Sequence, residues 1–159
     1  MSAIDGYLHA IIVRAIQEAR EDGSATIEAH HLLLAIAADN EATTHRILTT
    51  AGLDRRAVRD ALDWEFEHSL RAVGVSPAAC ALPRPSPVSG QPKIGASARL
   101  ALERSFASVR RKKELRPAHL LLGILQAQVG TVPRALALAA VDQDQLVNRV
   151  QQALSSEDA

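Results

Sequence analysis

The sequence repeats itself once, at a helical period, and that constrains it more than any single motif. Apolar residues at Ile4, Leu8, Ile11, Ile12, Ala15, Ile16 and Ala19 follow the three-and-four spacing that lines one face of an α-helix. The same phase returns 90 residues later as Ile94, Ala98, Ala101, Leu102, Ser105, Phe106 and Val109, with Ser105 its only polar member. A second element matches more closely. Glu28-Ala29-His30-His31-Leu32-Leu33-Leu34-Ala35-Ile36 pairs with Arg116-Pro117-Ala118-His119-Leu120-Leu121-Leu122-Gly123-Ile124, now 88 residues away because the loop before it is shorter. Pro117 suits a first helical turn, where a missing N–H costs nothing. A segment apolar on nearly every side predicts a helix at the centre of its bundle.

Two further elements keep the order. Thr43 to Ala51 matches Thr131 to Ala139, with Thr131 read as a cap and Gly52 as a left-handed stop. The fourth pair opens at Asp54 and Asp142, carboxylates suited to the free N–H groups of a helix start. Four elements in one order and phase predict an all-α tandem repeat. The first copy is placed at residues 1–68 and the second at 94–155, with a connector over 69–93 and a frayed tail from Ser155. The connector holds Pro77, Pro83, Pro85, Pro87 and Pro92 with Gly74 and Gly90, which block helix continuation and favour extended backbone.

Composition narrows the chemistry. Aromatic residues make up only 3%, so the interior is expected to be Leu, Ile, Val and Ala packed helix on helix. No apolar run reaches the roughly 18 residues of a membrane span, and the N-terminus lacks a secretory pattern, so a soluble cytoplasmic protein is expected. Cys80 stands alone, which excludes an internal disulfide and a cysteine-based zinc site. Net charge is zero, but residues 1–68 carry 12 acids and 6 bases, whereas residues 69–159 carry 6 acids and 12 bases. Such asymmetry marks either a basic binding surface or two lobes that attract each other.

The motifs of catalysis are missing. Nothing matches the Gly-x-x-x-x-Gly-Lys-(Ser/Thr) loop that cradles nucleotide phosphates, nor the Gly-x-Ser-x-Gly turn of a serine nucleophile. Neither an enzyme nor a cofactor is expected. His30 and His31 are adjacent on a helix and so point about 100° apart, which argues against a shared metal ion. His31 and His119 are expected to bond backbone near their helix starts. The basic run Arg110-Arg111-Lys112-Lys113 falls at the end of a first helix, where cations suit the dipole. It also supports the alternative of a helical nucleic-acid-binding transcriptional regulator, although no aromatic interleaves it for base stacking.

The duplicated His-Leu-Leu-Leu-(Ala/Gly)-Ile helix start follows, in copy one, an amphipathic helix ending Gln17-Glu18-Ala19-Arg20. This arrangement resembles the Clp N-terminal domain, the double-repeat module heading ClpC- and ClpA-type AAA+ unfoldases. The resemblance covers nearly the whole chain except the connector. It implies two pseudo-two-fold-related four-helix repeats and a docking role for substrates or adaptor proteins of the Clp protease. In ClpC-type members the groove between the two first helices also takes phosphoarginine-tagged substrates and some cyclic-peptide antibiotics. Mapped by phase, that groove has Met1, His9, Ile12, Val13 and Ile16 on one wall. Ile94, Arg99, Leu102, Glu103 and Phe106 form the other. Of these, Met1, His9, Val13, Ile94, Arg99 and Glu103 are the expected ligand contacts, the rest being shared with the core stripe.

Two departures matter. Phosphoarginine-reading members carry Glu immediately before the motif His and Thr at the start of each first helix; here those positions are His30 and Ala118, and Asp5 and Gly95. Without the paired carboxylates for a guanidinium, the expectation is a preference other than phosphoarginine. The missing phosphate loop implies either a fragment of an unfoldase or a short motorless ClpC-like protein of the kind actinobacteria carry, acting as a decoy or sink.

Overall fold

A computed structural model describes residues 2–75 and 90–157; Met1, residues 76–89 with Cys80 and four of the connector prolines, and residues 158–159 lie outside the described residues. The first helix, α1 (Ala3–Glu21), opens on a reciprocal cap. Ser2 Oγ accepts from the Asp5 N–H at 3.3 Å, and the Asp5 carboxylate accepts from the Ser2 N–H at 3.2 Å. A two-residue strand β1 (Thr26–Ile27) leads into α2 (Ala29–Ala38), then α3 (Ala42–Thr50) and α4 (Arg55–Ala72). Copy two follows as β2 (Lys93–Ile94), α5 (Ala96–Ala107), a 3-10 turn (Lys112–Glu114), α6 (Pro117–Leu125), α7 (Thr131–Leu138) and α8 (Gln143–Glu157).

The two apolar helices are the centre. Every residue of α2 except His30 and Ala38 is buried, as is every residue of α6 after Pro117. The copies interlock around them. Each first helix packs on its own central helix, α1 on α2 and α5 on α6, while α2 also touches α5 and α1 touches α6. The third and fourth helices exchange partners, with α4 against α7 and α3 against α8. β1 and β2 pair in parallel, Thr26 beside Lys93 and Ile27 beside Ile94, and seam the copies together. The opposite charges of the halves meet here too: Asp5 pairs with Lys112 at 2.7 Å and Glu65 with Arg134 at 2.9 Å, each acid from copy one and each base from copy two.

Several boundaries differ from the sequence reading, each for a local reason. Ile94 is not in a first helix; it lies in β2, half-buried against the core. Thr131 is the first residue of α7 and not its cap. The cap is Gly130, which adopts a φ of 113° open to glycine and supplies no side-chain hydrogen bond. The fourth helix continues through Ser69 to Ala72, because Ser69 Oγ donates to Glu65 across one turn at 2.7 Å and Arg134 holds that same carboxylate. Gly52 does take the left-handed turn, with φ 74°, and its counterpart is Ala140 at φ 57°. Asp54 and Asp142 cap α4 and α8 as read, accepting from Ala57 N–H at 2.8 Å and Gln145 N–H at 3.1 Å. No helix among the described residues is long and apolar enough to cross a membrane.

Candidate functional site

The predicted groove residues divide by helix. On α1, His9 and Val13 lie on one exposed face, while Ile12 and Ile16 are half-buried at its edge. On α5, Arg99, Glu103 and Phe106 are exposed and Leu102 is half-buried against the core. Ile94 stands apart on β2, and Met1 lies outside the described residues. The Asp5–Lys112 pair joins the start of α1 to the turn beyond α5, and the Lys112 ammonium and Ser2 together hold the Asp5 carboxyl down to about 2. None of these predicted residues lines either of two cavities seen among the described residues.

One of those cavities, about 250 Å³, opens at the seam between the copies. One wall is built by a clamp that the periodicity did not signal. Glu28, the cap position of α2, turns its carboxylate onto the start of α5, where it accepts from the Ser97 N–H at 3.3 Å and from Ser97 Oγ. Ser97 Oγ in turn accepts from the Ala29 N–H at 2.8 Å. Each copy thereby caps a helix of the other. Burial pushes the Glu28 carboxyl up, but the hydrogen bonds from Ser97 and Thr26 outweigh it and hold the group below its ordinary value. Gly95 makes the approach possible: a Cβ there would fall 1.8 Å from Glu28 Oε1. Leu100 and Val129, 49% and 85% exposed, rim the opening, and the Arg104 guanidinium is turned inward to the Gly123 carbonyl at 3.2 Å.

His30 also lines this cavity, and here the sequence reading of the histidine pair needs correction. The two rings converge, with centroids 4.1 Å apart, and together with Asp22 they bring three ligand-type atoms within 4.8 Å. Proton accounting decides what the cluster does. His31 Nδ1 accepts the Glu28 N–H at 2.9 Å, so its Nε2 carries the proton and donates to Asp22 at 3.0 Å. That nitrogen therefore has no lone pair for a metal, and Arg59 places a cation 3.1 Å from the other Asp22 oxygen. The arrangement fits a hydrogen-bonded helix start better than an ion site. Burial and the neighbouring His31 ring lower the His30 pKa to about 4, so its imidazole is neutral at physiological pH. His119 repeats the backbone bond in copy two, accepting the Arg116 N–H at 2.9 Å. Both motif histidines thus bond backbone at their helix starts, as expected from the sequence.

The cavity residues that the periodicity did not signal are Glu28, Ser97, Leu100, Arg104 and Val129. The one available signal was Glu28 itself, an acid directly ahead of the repeated motif where copy two has Arg116. Of the basic run, Lys112 is engaged by Asp5, while Arg110, Arg111 and Lys113 stay exposed.

Comparison with known proteins gives one family. The model of the Clp repeat (R) N-terminal domain matches twice, over residues 6–89 and 93–159, one match for each copy. No curated protein matches the chain. Domains of this family are non-catalytic N-terminal domains of Clp ATPases and are associated with substrate and adaptor interactions in the Clp protease system.

Proposed function

The chain belongs to the Clp repeat N-terminal domain family, and on that premise we propose that it is a non-catalytic module of the Clp protease system that binds protein substrates, adaptors or peptides along its first helices. The observation that carries this reading is that both first helices leave apolar surface in water. Both first helices bury one face on a central helix yet leave large apolar side chains outside, Val13 at 47% and Phe106 at 43% exposure. Exposed apolar groups flanked by a few polar ones (here His9, Arg99 and Glu103) suit a peptide or a cyclic peptide better than a small anion. Ile94, on β2, and Met1, outside the described residues, complete the proposed contact set.

Phosphoarginine does not fit this reading. The starts of the two first helices, where an anion would be favoured, are already engaged by the protein's own carboxylates, Asp5 on α1 and Glu28 on α5. The residue at the family's guanidinium-pairing position in copy one is His30, held neutral by burial. A copy of such a module that is not joined to an ATPase would act as a decoy or sink, withholding ligands from an active unfoldase.

Titration of labelled protein with a ClpC-directed cyclic peptide, followed by NMR, tests the groove. Amide shifts are expected to concentrate at His9, Val13, Arg99 and Glu103; shifts confined to other faces would sink the proposal. Reversing one charge with Arg99→Glu is expected to weaken binding while the melting temperature stays within about 1 °C, since surface substitutions of this kind change stability by under about 0.5 kcal/mol.

A further inference from the structure

We propose that the exposed face of α5 takes an acidic polypeptide segment that presents apolar side chains, an inference that rests on the groove reading above and names its partner. Arg99, Leu100, Glu103 and Phe106 lie exposed on α5, with Glu103 one turn after Arg99 and Leu100 and Phe106 one turn after Glu103, and Arg110 is exposed just beyond the end of the helix. Arg111 and Lys113 follow it. Among the described residues none of the Arg99, Arg110, Arg111 and Lys113 side chains makes an ion pair, whereas Lys112 is engaged by Asp5 and Arg104 is turned to Gly123. One such cation, Arg99, lies on α5 with the apolar anchors Leu100 and Phe106, and three follow in the segment just after the helix, with Glu103 and Glu114 the opposing acids.

The matching face of α1 is different. At the positions of Arg99, Glu103, Phe106 and Arg111 it has His9, Val13, Ile16 and Glu21, and only Arg110 keeps its charge there, as Arg20, so the positive field is stronger in copy two. A segment with acidic and apolar residues complements that face: the anchors desolvate on Leu100 and Phe106, and the acids meet the arginines at the rim, where charge governs on-rate and specificity. Nucleic acid is the poorer fit. Glu103 sits in the middle of this face, where it would repel a phosphate backbone, and Phe106 offers one aromatic where stacking needs several.

The test is fluorescence anisotropy on the full chain with three labelled peptides of one length: Leu and Phe anchors spaced by Glu, by Gln, or by Lys. The Glu peptide is expected to bind at least about tenfold more tightly than the Gln peptide near 0.05 M salt, with the gap closing toward 0.5 M as screening shortens to a few ångströms. The double reversal Arg99→Glu/Arg110→Glu should abolish that preference without lowering the melting temperature. Equal binding of the Glu and Gln peptides would overturn the acidic-partner inference and leave the groove reading standing. Tighter binding of a single-stranded oligonucleotide than of the Glu peptide would replace it with a nucleic-acid interface. Failure of all three peptides and of the cyclic peptide would overturn both readings together.

Discussion

The starts of the two central helices share a backbone and differ in charge. In each, the motif histidine reaches back to the N–H three residues earlier, at 2.9 Å in both copies. The residue that owns that N–H is Glu28 in copy one and Arg116 in copy two, and the two side chains leave in opposite directions. Glu28 goes to the beginning of α5, where free N–H groups and the positive end of the helix dipole favour a carboxylate. Arg116 goes to the end of α8, donating to the Leu154 carbonyl at 3.0 Å and pairing with Glu157, where the negative end favours a cation. A duplicated position has kept its backbone role and been given a new long-range one by a single change of sign.

Making one copy resemble the other tests this. The largest effect is expected at the packing of first helix on central helix. Gly123 stands where copy one has Ala35, and a Cβ there would lie 2.3 Å from the Ala101 carbonyl oxygen, backbone that cannot swing aside. Gly123→Ala should cost about 1–3 kcal/mol by overpacking, against about 1 kcal/mol for Ala35→Gly, measured by denaturant unfolding. Equal costs would mean the two interfaces are packed alike.

Next is the His30 position, which is Ala118 in copy two. A histidine whose folded pKa lies near 4, below the ordinary 6.5, stays neutral while the unfolded chain takes up its proton. Stability is therefore lost as pH falls from 6.5 toward 4, by about 2 kcal/mol, allowing for its partial exposure. His30→Ala should remove that component, so its melting temperature should fall less than the parent's between pH 7 and 4.5; parallel losses would show that His30 contributes none of it. The smallest effect is expected at Arg116→Glu, which sets a carboxylate against Glu157 and the end of α8. It should cost about 1 kcal/mol at low salt, recovered in part by added salt; a salt-independent loss would mean packing, not charge, holds Arg116.

The parts of the molecule that depend on period were legible from the residues. Leu32 to Ile36 and Leu120 to Ile124 read as central helices and are buried on all sides, because a near-continuous apolar run has only one stable location. Phe106 follows the same phase and yet faces solvent. α5 ends at Ala107 after 12 residues, whereas α1 runs for 19, so its last turn has less to pack on. The candidate site was less legible. Glu28 and Ser97 meet across 69 residues, and no local spacing encodes such a pairing. His30 and His31 were expected to diverge from the 100° step between neighbours, but that step fixes only the Cα–Cβ direction. Rotation about the side-chain bonds, with Asp22 drawing His31 over, brings the rings together.

The exchanged caps at Glu28 and Ser97 also bear on how the chain reaches its native state. Neither half can complete the start of its own helix: α2 has its first N–H satisfied by a hydroxyl of copy two, and α5 is capped by a carboxylate of copy one. A gene cut within the connector would yield two fragments, each with an open helix end and an uncovered central helix. The halves should then be unstable apart and regain structure on mixing, and the intact chain should unfold in one step with no half-folded state.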